Sequence, residues 1–250
     1  MILPPKWRNL LAVSWRKGPL MAKTVRLGVL LSGGGRTLEN ILKHIRLRPA
    51  GYGGQVRTES LAGLVEVAVV VASRPGIRGI EIAEAAGVPA HVIRRKEFPS
   101  VQAYSDAMVA RLDEHKVDLV CLAGFLSYWT IPDRYLGRVM NIHPALLPAF
   151  GGEGMYGRHV HEAVLARGCK VSGCTVHFVN NTYDDGPIVL QRAVPVQAED
   201  APDDLAARVF REECIAYPKA IRLFAEGRLR VDGRIVHILP AGKAAKCTPR

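Results

Sequence analysis

Asn141 and His143 are the residues whose types and spacing point most directly to chemistry. They follow the apolar pair Val139-Met140 and precede Pro144, which holds His143 in extended geometry. Side chains two residues apart on an extended chain lie on the same face. Histidine exchanges protons near neutral pH and an asparagine amide donates hydrogen bonds, so the pair can stabilise an oxygen atom that gains negative charge. The alternative is that His143 only caps a strand-to-loop turn.

A second polar cluster lies between two apolar runs further along the chain. Residues 175–179 and 188–191 have the character of strands, and the loop between them contains Asp184-Asp185-Gly186-Pro187. The Asp-Gly-Pro sequence is typical of a turn, so one aspartate can be explained as a turn cap. Two adjacent aspartates are more than a cap requires. A carboxylate at this place can orient His143 or move its proton.

A glycine-rich loop follows the first predicted strand. The apolar run Val25–Leu31 breaks into Ser32-Gly33-Gly34-Gly35-Arg36-Thr37, and a helical pattern covers residues 38–45. A strand, a glycine loop and a helix N-terminus together form an anion site, because backbone N–H groups and the helix dipole attract negative charge. The spacing is neither the GxGxxG dinucleotide motif nor a Walker loop. The alternative is a tight turn that needs positive φ.

Strands and helices are predicted to alternate along the chain. Apolar, β-branched runs such as Val65–Ala72 are typical of strands buried on both faces of a parallel sheet. The alternation predicts an α/β fold: a doubly wound, mostly parallel sheet with helices on both faces and a C-terminal hairpin turning at Asp232-Gly233. A late helix is predicted to begin near Pro202 and to run to about Ile215, with Pro218 interrupting or kinking it. The other elements predicted are strands at 91–93 and Leu119–Leu122 and helices at 79–86 and 101–115.

The composition fits one domain rather than several. The chain has 250 residues, of which 48% are hydrophobic, and this is enough for one sizeable core. We expect residues 1–20 to be a disordered N-terminal extension, with Met21 a candidate biological start, and residues 241–250 to be a frayed tail. Residues 21–240 are then the catalytic domain.

Charge and cysteine content narrow the class of partner. The net charge is +11, but the basic residues are spread along the chain without an aromatic-interleaved stripe, which favours small anionic ligands over nucleic acid. No apolar stretch is long enough to span a bilayer. Five cysteines without a CxxC pair favour reduced thiols in the cytoplasm. No histidine or cysteine group has metal-site spacing, and His159-Val160-His161 comes nearest to it.

Taken together, these segments resemble the folate-dependent formyltransferases, and most closely the members that act on glycinamide ribonucleotide in purine synthesis. The likeness runs from about residue 25 to about residue 238. Its motifs are specific in combination, whereas a lone His-Pro pair or glycine run is not. The segments that carry it are residues 141–148, residues 173–179, Asp184-x-Gly186-Pro187, residues 122–125 and residues 32–35.

The resemblance implies a reaction and roles in it. It implies formyl transfer from 10-formyltetrahydrofolate to the amine of glycinamide ribonucleotide, with no metal. Asn141 and His143 would meet the oxyanion, and Asp184, rather than Asp185, would move protons because it holds the position of the family aspartate. A carboxylate beside an imidazole favours the charged form, so we expect His143 to hold its proton to higher pH.

The resemblance also implies binding residues. Gly35, Arg36 and Thr37 would hold the ribonucleotide phosphate, although Arg36 stands where the family has a small polar residue, and Glu213 would bind near the substrate amine. The folate pocket would be lined by apolar and polar groups that include Asn141 and three residues after the fourth strand: Leu126, Ser127 and Trp129.

Several alternatives stay open at this stage. The glycine-rich segment 149–157 is longer than in the relatives and is either a lid or a surface insertion. A formyltetrahydrofolate deformylase, a methionyl-tRNA formyltransferase and a non-catalytic phosphate-ligand module are the competing functions. We expect small-molecule substrates, a cytoplasmic location, and a monomer or homodimer.

Overall fold

The computed structural model describes residues 23–47 and 60–242. These residues fall into two compact units, which contain residues 23–140 and 141–242. The expected N-terminal extension at 1–20, residues 243–250 of the expected tail, and residues 48–59 lie outside the described part of the chain. Within residues 23–47 and 60–242, no helix has both the length and the apolar character that crossing a membrane requires.

The first unit is built from four parallel strands and three helices. The strand order is β3-β2-β1-β4, with β1 pairing in parallel with both β2 and β4. Parallel neighbours need a crossover, and helices supply it. The elements are β1 (Val25–Leu31), α1 (Arg36–Arg46), β2 (Val65–Ala72), α2 (Arg78–Ala85), β3 (Ala90–Val92), α3 (Val101–Glu114) and β4 (Leu119–Leu122).

The second unit carries the remaining strands, in the order β5-β6-β7-β9-β8. The division between the units falls inside β5, after Met140. Strands β6 and β7 pair antiparallel, as do β8 and β9, whereas β7 and β9 run parallel. The elements are β5 (Val139–His143), α4 (Arg158–Ala166), β6 (Val171–Phe178), β7 (Ile188–Pro195), α5 (Pro202–Ala225), β8 (Leu229–Asp232) and β9 (Ile235–Ile238).

The predicted α/β class, with a mostly parallel sheet and a C-terminal hairpin, is confirmed. The apolar runs chosen from the sequence as β1, β2 and β4 have the boundaries predicted for them, because their side chains are almost all buried. Strand β3 is one residue earlier than predicted. Strand β5 extends through His143, so Asn141 and His143 lie within its last three residues.

The prediction for the last helix was wrong. Helix α5 does not end near Ile215 but continues through Pro218 to Ala225. Proline removes one intrahelical hydrogen bond and strains the preceding turn. The residues after it, including Ala220 and Ile221, are completely buried. Burial of this apolar face outweighs the local cost of the proline.

Gly28 of β1 supplies a test of packing in the first unit. A Cβ atom there would lie 2.7 Å from Leu112 Cδ2 and 3.1 Å from Val117 Cγ1. Overpacking of this kind costs about 1–3 kcal/mol, so Gly28→Ala is expected to lower the free energy of unfolding by that amount in urea titrations. Gly34→Ala is the control, because no heavy atom lies within 4 Å of a Cβ at Gly34. Equal stability of the two variants would contradict this account of the core.

Candidate active site

The site in the second unit is assembled where strands β5 and β6 end. Strand β5 carries Asn141 and His143, and β6 carries His177. Asp184 belongs to the loop between β6 and β7 and has a left-handed backbone (φ 50°). Gly186 lets this loop close, because a Cβ there would lie 1.7 Å from the carbonyl oxygen of Phe178. The turn at Asp185-Gly186-Pro187 therefore places the carboxylate of the preceding residue, Asp184, near the two strand ends.

Asp184 lies between two imidazole rings. Its Oδ2 atom is 3.5 Å from His143 Nδ1, and its Oδ1 atom is 3.6 Å from His177 Nε2. The backbone N–H of Gly152 donates a hydrogen bond to Oδ2 at 2.9 Å. At these distances neither imidazole makes a direct hydrogen bond to the carboxylate, and each attracts it electrostatically only when the ring is protonated, whereas Gly152 bonds it directly.

The second nitrogen of His143 is also engaged. Its Nε2–H donates to the carbonyl oxygen of Phe150 at 2.8 Å. A carbonyl oxygen only accepts, so Nε2 carries the proton in the neutral ring, and Nδ1 faces the carboxylate of Asp184. His143 is 3% exposed. The first residues of segment 149–157 are thus part of the site, whether or not the segment also acts as a lid.

Asn141 connects to the same cluster through His177. The Nδ2 group of Asn141 donates to His177 Nε2 at 3.3 Å, while His177 Nδ1–H donates to the carbonyl oxygen of Phe178 at 2.9 Å. These two bonds place the His177 proton on Nδ1. Asn141 is half-buried, whereas His177 is almost completely buried. Of the two residues, Asn141 is the one that can contact a ligand.

The electrostatics overturn one expectation. Burial lowers the pKa of His143 below its ordinary value of 6.5, although the nearby charge of Asp184 and the Phe150 carbonyl both act to raise it. The expectation that His143 holds its proton to higher pH is therefore wrong, because desolvation of the imidazolium outweighs the attraction of the carboxylate. Burial alone would raise the pKa of Asp184, but His177, His143 and the Gly152 N–H together hold that pKa below its ordinary value.

Asp185 points to different partners from those of Asp184. Its Oδ1 atom pairs with Arg234 at 3.1 Å, and its Oδ2 atom accepts from Asn180 at 3.4 Å. It contributes to a surface contact between its own loop and the β8–β9 turn. Of the two adjacent aspartates, the structure brings only Asp184 to His143.

Glu213 lies on α5 and is half-buried. Burial, together with the charges of Glu213 and Glu212, raises the pKa of Cys174 on β6 to about 12. The Cys174 thiol is therefore protonated and unreactive at neutral pH. Among the described residues no disulfide is formed by the cysteines, which are Cys121, Cys169, Cys174 and Cys214.

The glycine-rich loop of the first unit combines the two interpretations drawn from its sequence. Gly35 has φ +71°, and a Cβ there would lie 2.7 Å from Gly79 Cα, so the turn does require glycine. Gly35 is also the N-cap of α1, where no side chain caps the helix. The N-terminus of α1 thus presents its positive dipole end next to Arg36 and Thr37.

The three residues expected in the folate pocket differ in exposure. Leu126 is 54% exposed, Ser127 is half-buried, and Trp129 is only 4% exposed. The N–H of Leu126 donates to Ser32 Oγ at 2.9 Å, which ties this segment to the glycine-rich loop of the same unit. The side chain of Leu126 is therefore accessible from solvent, whereas Trp129 belongs to the packed interior.

Sequence reasoning left three contributors to the site without a role. The position of His177 could have been predicted, since it lies two residues after Thr175 on one strand, and side chains at that spacing lie on the same face. The Phe150 carbonyl and the Gly152 N–H are backbone groups and have no residue-type signature. No group of three or more histidine, cysteine, aspartate or glutamate side chains within 23–47 and 60–242 is arranged to hold a metal ion.

Similarity to known proteins covers most of the chain. The model of the formyl transferase family matches residues 25–221, and the chain belongs to that family. The resemblance drawn from the sequence motifs is thereby confirmed.

Individual relatives refine this placement. The chain is 35% identical over 205 residues to phosphoribosylglycinamide formyltransferase of Escherichia coli (strain K12), covering 81% of this chain and 88% of that protein. It is 35% identical over 226 residues to the trifunctional purine biosynthetic protein adenosine-3 of Gallus gallus. That match covers 90% of this chain but only 21% of the relative, and the chain spans 14% to 21% of five such trifunctional proteins.

A solved structure agrees with the fold. The crystal structure of glycinamide ribonucleotide transformylase 1 from Symbiobacterium toebii has a TM-score of 0.74 and 42% sequence identity, covering 87% of this chain and 95% of that one.

The sign of the His143 shift can be tested by NMR. We expect the His143 ring to titrate below 6.5, because burial disfavours the imidazolium. In Asp184→Asn, the pKa of His143 is expected to fall further, since the variant removes the attraction that raises it. A rise in the His143 pKa in the variant would contradict the assignment.

Proposed function

We propose that this chain transfers the formyl group of 10-formyltetrahydrofolate to the primary amine of glycinamide ribonucleotide, a step of purine synthesis. The observation that carries the proposal is the position of Asp184, 3.5 Å from His143 and 3.6 Å from His177, with Asn141 bonded to His177. Membership of the formyl transferase family and the names of the relatives support it. The proposal places the activity on small molecules in the cytoplasm.

Each unit offers groups of the kind that the substrates require. The folate supplies the formyl group, and the exposed side chain of Leu126 beside the polar group of Ser127 suits a flat heterocycle with hydrogen-bonding edges. Asn141 is half-buried and presents a polar amide. The amide has the donor that a formyl oxygen requires.

His143 and Asn141 act on the oxygen that becomes negative. When the amine adds to the formyl carbon, the carbonyl oxygen gains charge, and donors aimed at it stabilise the transition state. His143 carries its proton on Nε2, and in the reaction this N–H serves the formyl oxygen in place of the Phe150 carbonyl. The low pKa of His143 makes its protonated form a stronger acid, which favours donation to the oxyanion.

Asp184 supplies the counter-charge. Its pKa is held below the ordinary value, so the carboxylate is ionised at neutral pH and stabilises an imidazolium at His143. The same carboxylate accepts the proton that the amine loses, directly or through water. The proton then passes to N10 of the folate as the bond between the formyl carbon and N10 breaks, so that the carbonyl re-forms on the product and tetrahydrofolate leaves.

The phosphate of the ribonucleotide is assigned to the loop before α1. Gly35, Arg36 and Thr37 provide backbone N–H groups, a helix dipole and one cationic side chain. Arg74 adds a second cation beside the loop, because its Nε donates to the Ser32 carbonyl at 2.7 Å. We assign Glu213 to electrostatic attraction of the substrate amine.

Replacing each aspartate in turn tests the assignment. Asp184→Asn keeps the shape but removes the charge, and we expect turnover to fall by about two to four orders of magnitude, the usual scale for losing general acid-base help. The Michaelis constants should change little. Asp185→Asn is the matched control and should be mild, since Asp185 pairs with Arg234. A crippling effect of Asp185→Asn, with Asp184→Asn tolerated, would overturn the assignment.

Gly34 offers a test of the phosphate loop that spares the fold. A Cβ at Gly34 would meet no heavy atom within 4 Å, so Gly34→Leu starts its side chain in open space, where it would keep the phosphate away from the loop amides. Losing one charge-assisted bond costs about 1.5–3 kcal/mol, so the Michaelis constant for the ribonucleotide should rise about 10- to 100-fold. The constant for the folate should not change. Equal effects on the two substrates would show that the loop has only a structural role.

A further inference from the structure

The hydroxyl group of Thr175 makes three hydrogen bonds inside the second unit. Thr175 lies on β6, two residues before His177, and is completely buried. Its Oγ1 donates to the Ala145 carbonyl at 2.7 Å and accepts from the Leu147 N–H at 3.0 Å and from Gln191 Nε2 at 3.0 Å. A hydroxyl has one proton and two lone pairs, so its bonding capacity is completely used.

Gln191 completes the same network from the neighbouring strand. It lies on β7 directly opposite Thr175 in the antiparallel pairing. Its Nε2 group donates a second hydrogen bond, to the Leu147 carbonyl at 2.9 Å. The residue is exposed, and an exposed amide can bond to water instead. Both protons of Nε2 are nevertheless directed at the Thr175–Leu147 contact.

The turn at residues 145–147, which these hydrogen bonds hold, lies between two parts of the candidate active site. It belongs to the segment 144–149 that connects His143 to Phe150, whose carbonyl accepts from His143 Nε2. The side chain of Leu147 also supports the following loop, because a Cβ at Gly151 would lie 2.5 Å from Leu147 Cδ2. The next residue, Gly152, donates to Asp184. A shift of the turn would therefore move partners of both His143 and Asp184.

We propose that Thr175 and Gln191 are positioning residues for the formyl transfer. They fix the turn at residues 145–147, and through it the Phe150 carbonyl and the Gly152 N–H. Neither residue touches the reacting atoms. The inference rests on the proposed function, since a positioning role has meaning only for a reaction at His143 and Asp184.

Ser172 provides a matched control on the same strand. It is 3% exposed, and its hydroxyl has no hydrogen-bond partner among the residues that the structure describes. Ser172→Ala thus removes a buried hydroxyl from β6 without removing a bond. Thr175→Val also removes one buried hydroxyl from β6, but with it the three hydrogen bonds that this hydroxyl makes. Thr175→Ser keeps the hydroxyl.

The variants are compared by kinetics and by NMR of the full chain. We expect Thr175→Val to lower kcat about 10- to 100-fold, since a displacement of about 1 Å can cost that much, with little change in either Michaelis constant. Thr175→Ser should have a kcat close to that of the wild-type protein, and Ser172→Ala should have the wild-type kcat. Gln191→Leu should lower kcat in the same direction. Because Gln191 is exposed, that variant keeps the test valid if Thr175→Val does not fold.

NMR separates this proposal from the function on which it rests. Hydrogen exchange of the Leu147 amide should be faster in Thr175→Val than in Ser172→Ala, and the His143 ring resonances should move only in the former. If the wild-type protein forms no product, the proposed function fails, while these NMR signals still test whether Thr175 holds the turn at residues 145–147. A kcat of Thr175→Val or Gln191→Leu equal to that of Ser172→Ala, or His143 resonances that do not move in Thr175→Val, would overturn the positioning role.

Discussion

The carboxylate of Asp184 is the group on which the rest of the candidate site depends. Its side chain is only 13% exposed, and a buried carboxylate is costly unless it is paired and hydrogen-bonded. The Gly152 N–H and the imidazoles of His143 and His177 meet that requirement from three directions. The same contacts keep the group ionised near neutral pH. Its fixed negative charge makes a buried histidine useful, because the imidazolium formed in a proton transfer has a counter-ion beside it.

Backbone geometry places the Asp184 carboxylate in the site. The loop between β6 and β7 closes only because Gly186 lies against the Phe178 carbonyl with no room for a side chain. On the opposite side, a Cβ at Gly151 would lie 3.1 Å from Asp184 Cβ. The backbone contact requires glycine at position 186, and the tight approach favours glycine at position 151, which gives the glycine-rich segment 149–157 a structural reason within the site. The segment 149–157 and the loop that carries Asp184 therefore pack closely against each other.

Features with a local cause could be predicted from the sequence. The strands at Val25–Leu31 and Val65–Ala72 follow from apolar runs, and the two-residue spacing of Asn141 and His143 places both near Asp184 and His177. Features with a non-local cause could not. The direction of the His143 pKa shift depends on how completely the folded chain buries the ring, and α5 continues through Pro218 because of tertiary packing.

Product formation with and without the second substrate tests the central claim most directly. The chain is incubated with 10-formyltetrahydrofolate, and release of tetrahydrofolate is followed in the presence and in the absence of glycinamide ribonucleotide. A site that activates an amine at the formyl carbon predicts release only when the ribonucleotide is present, with one formylated product per tetrahydrofolate. Release at the same rate without the ribonucleotide would identify water as the acceptor and contradict the account, and no release under either condition would contradict it as well.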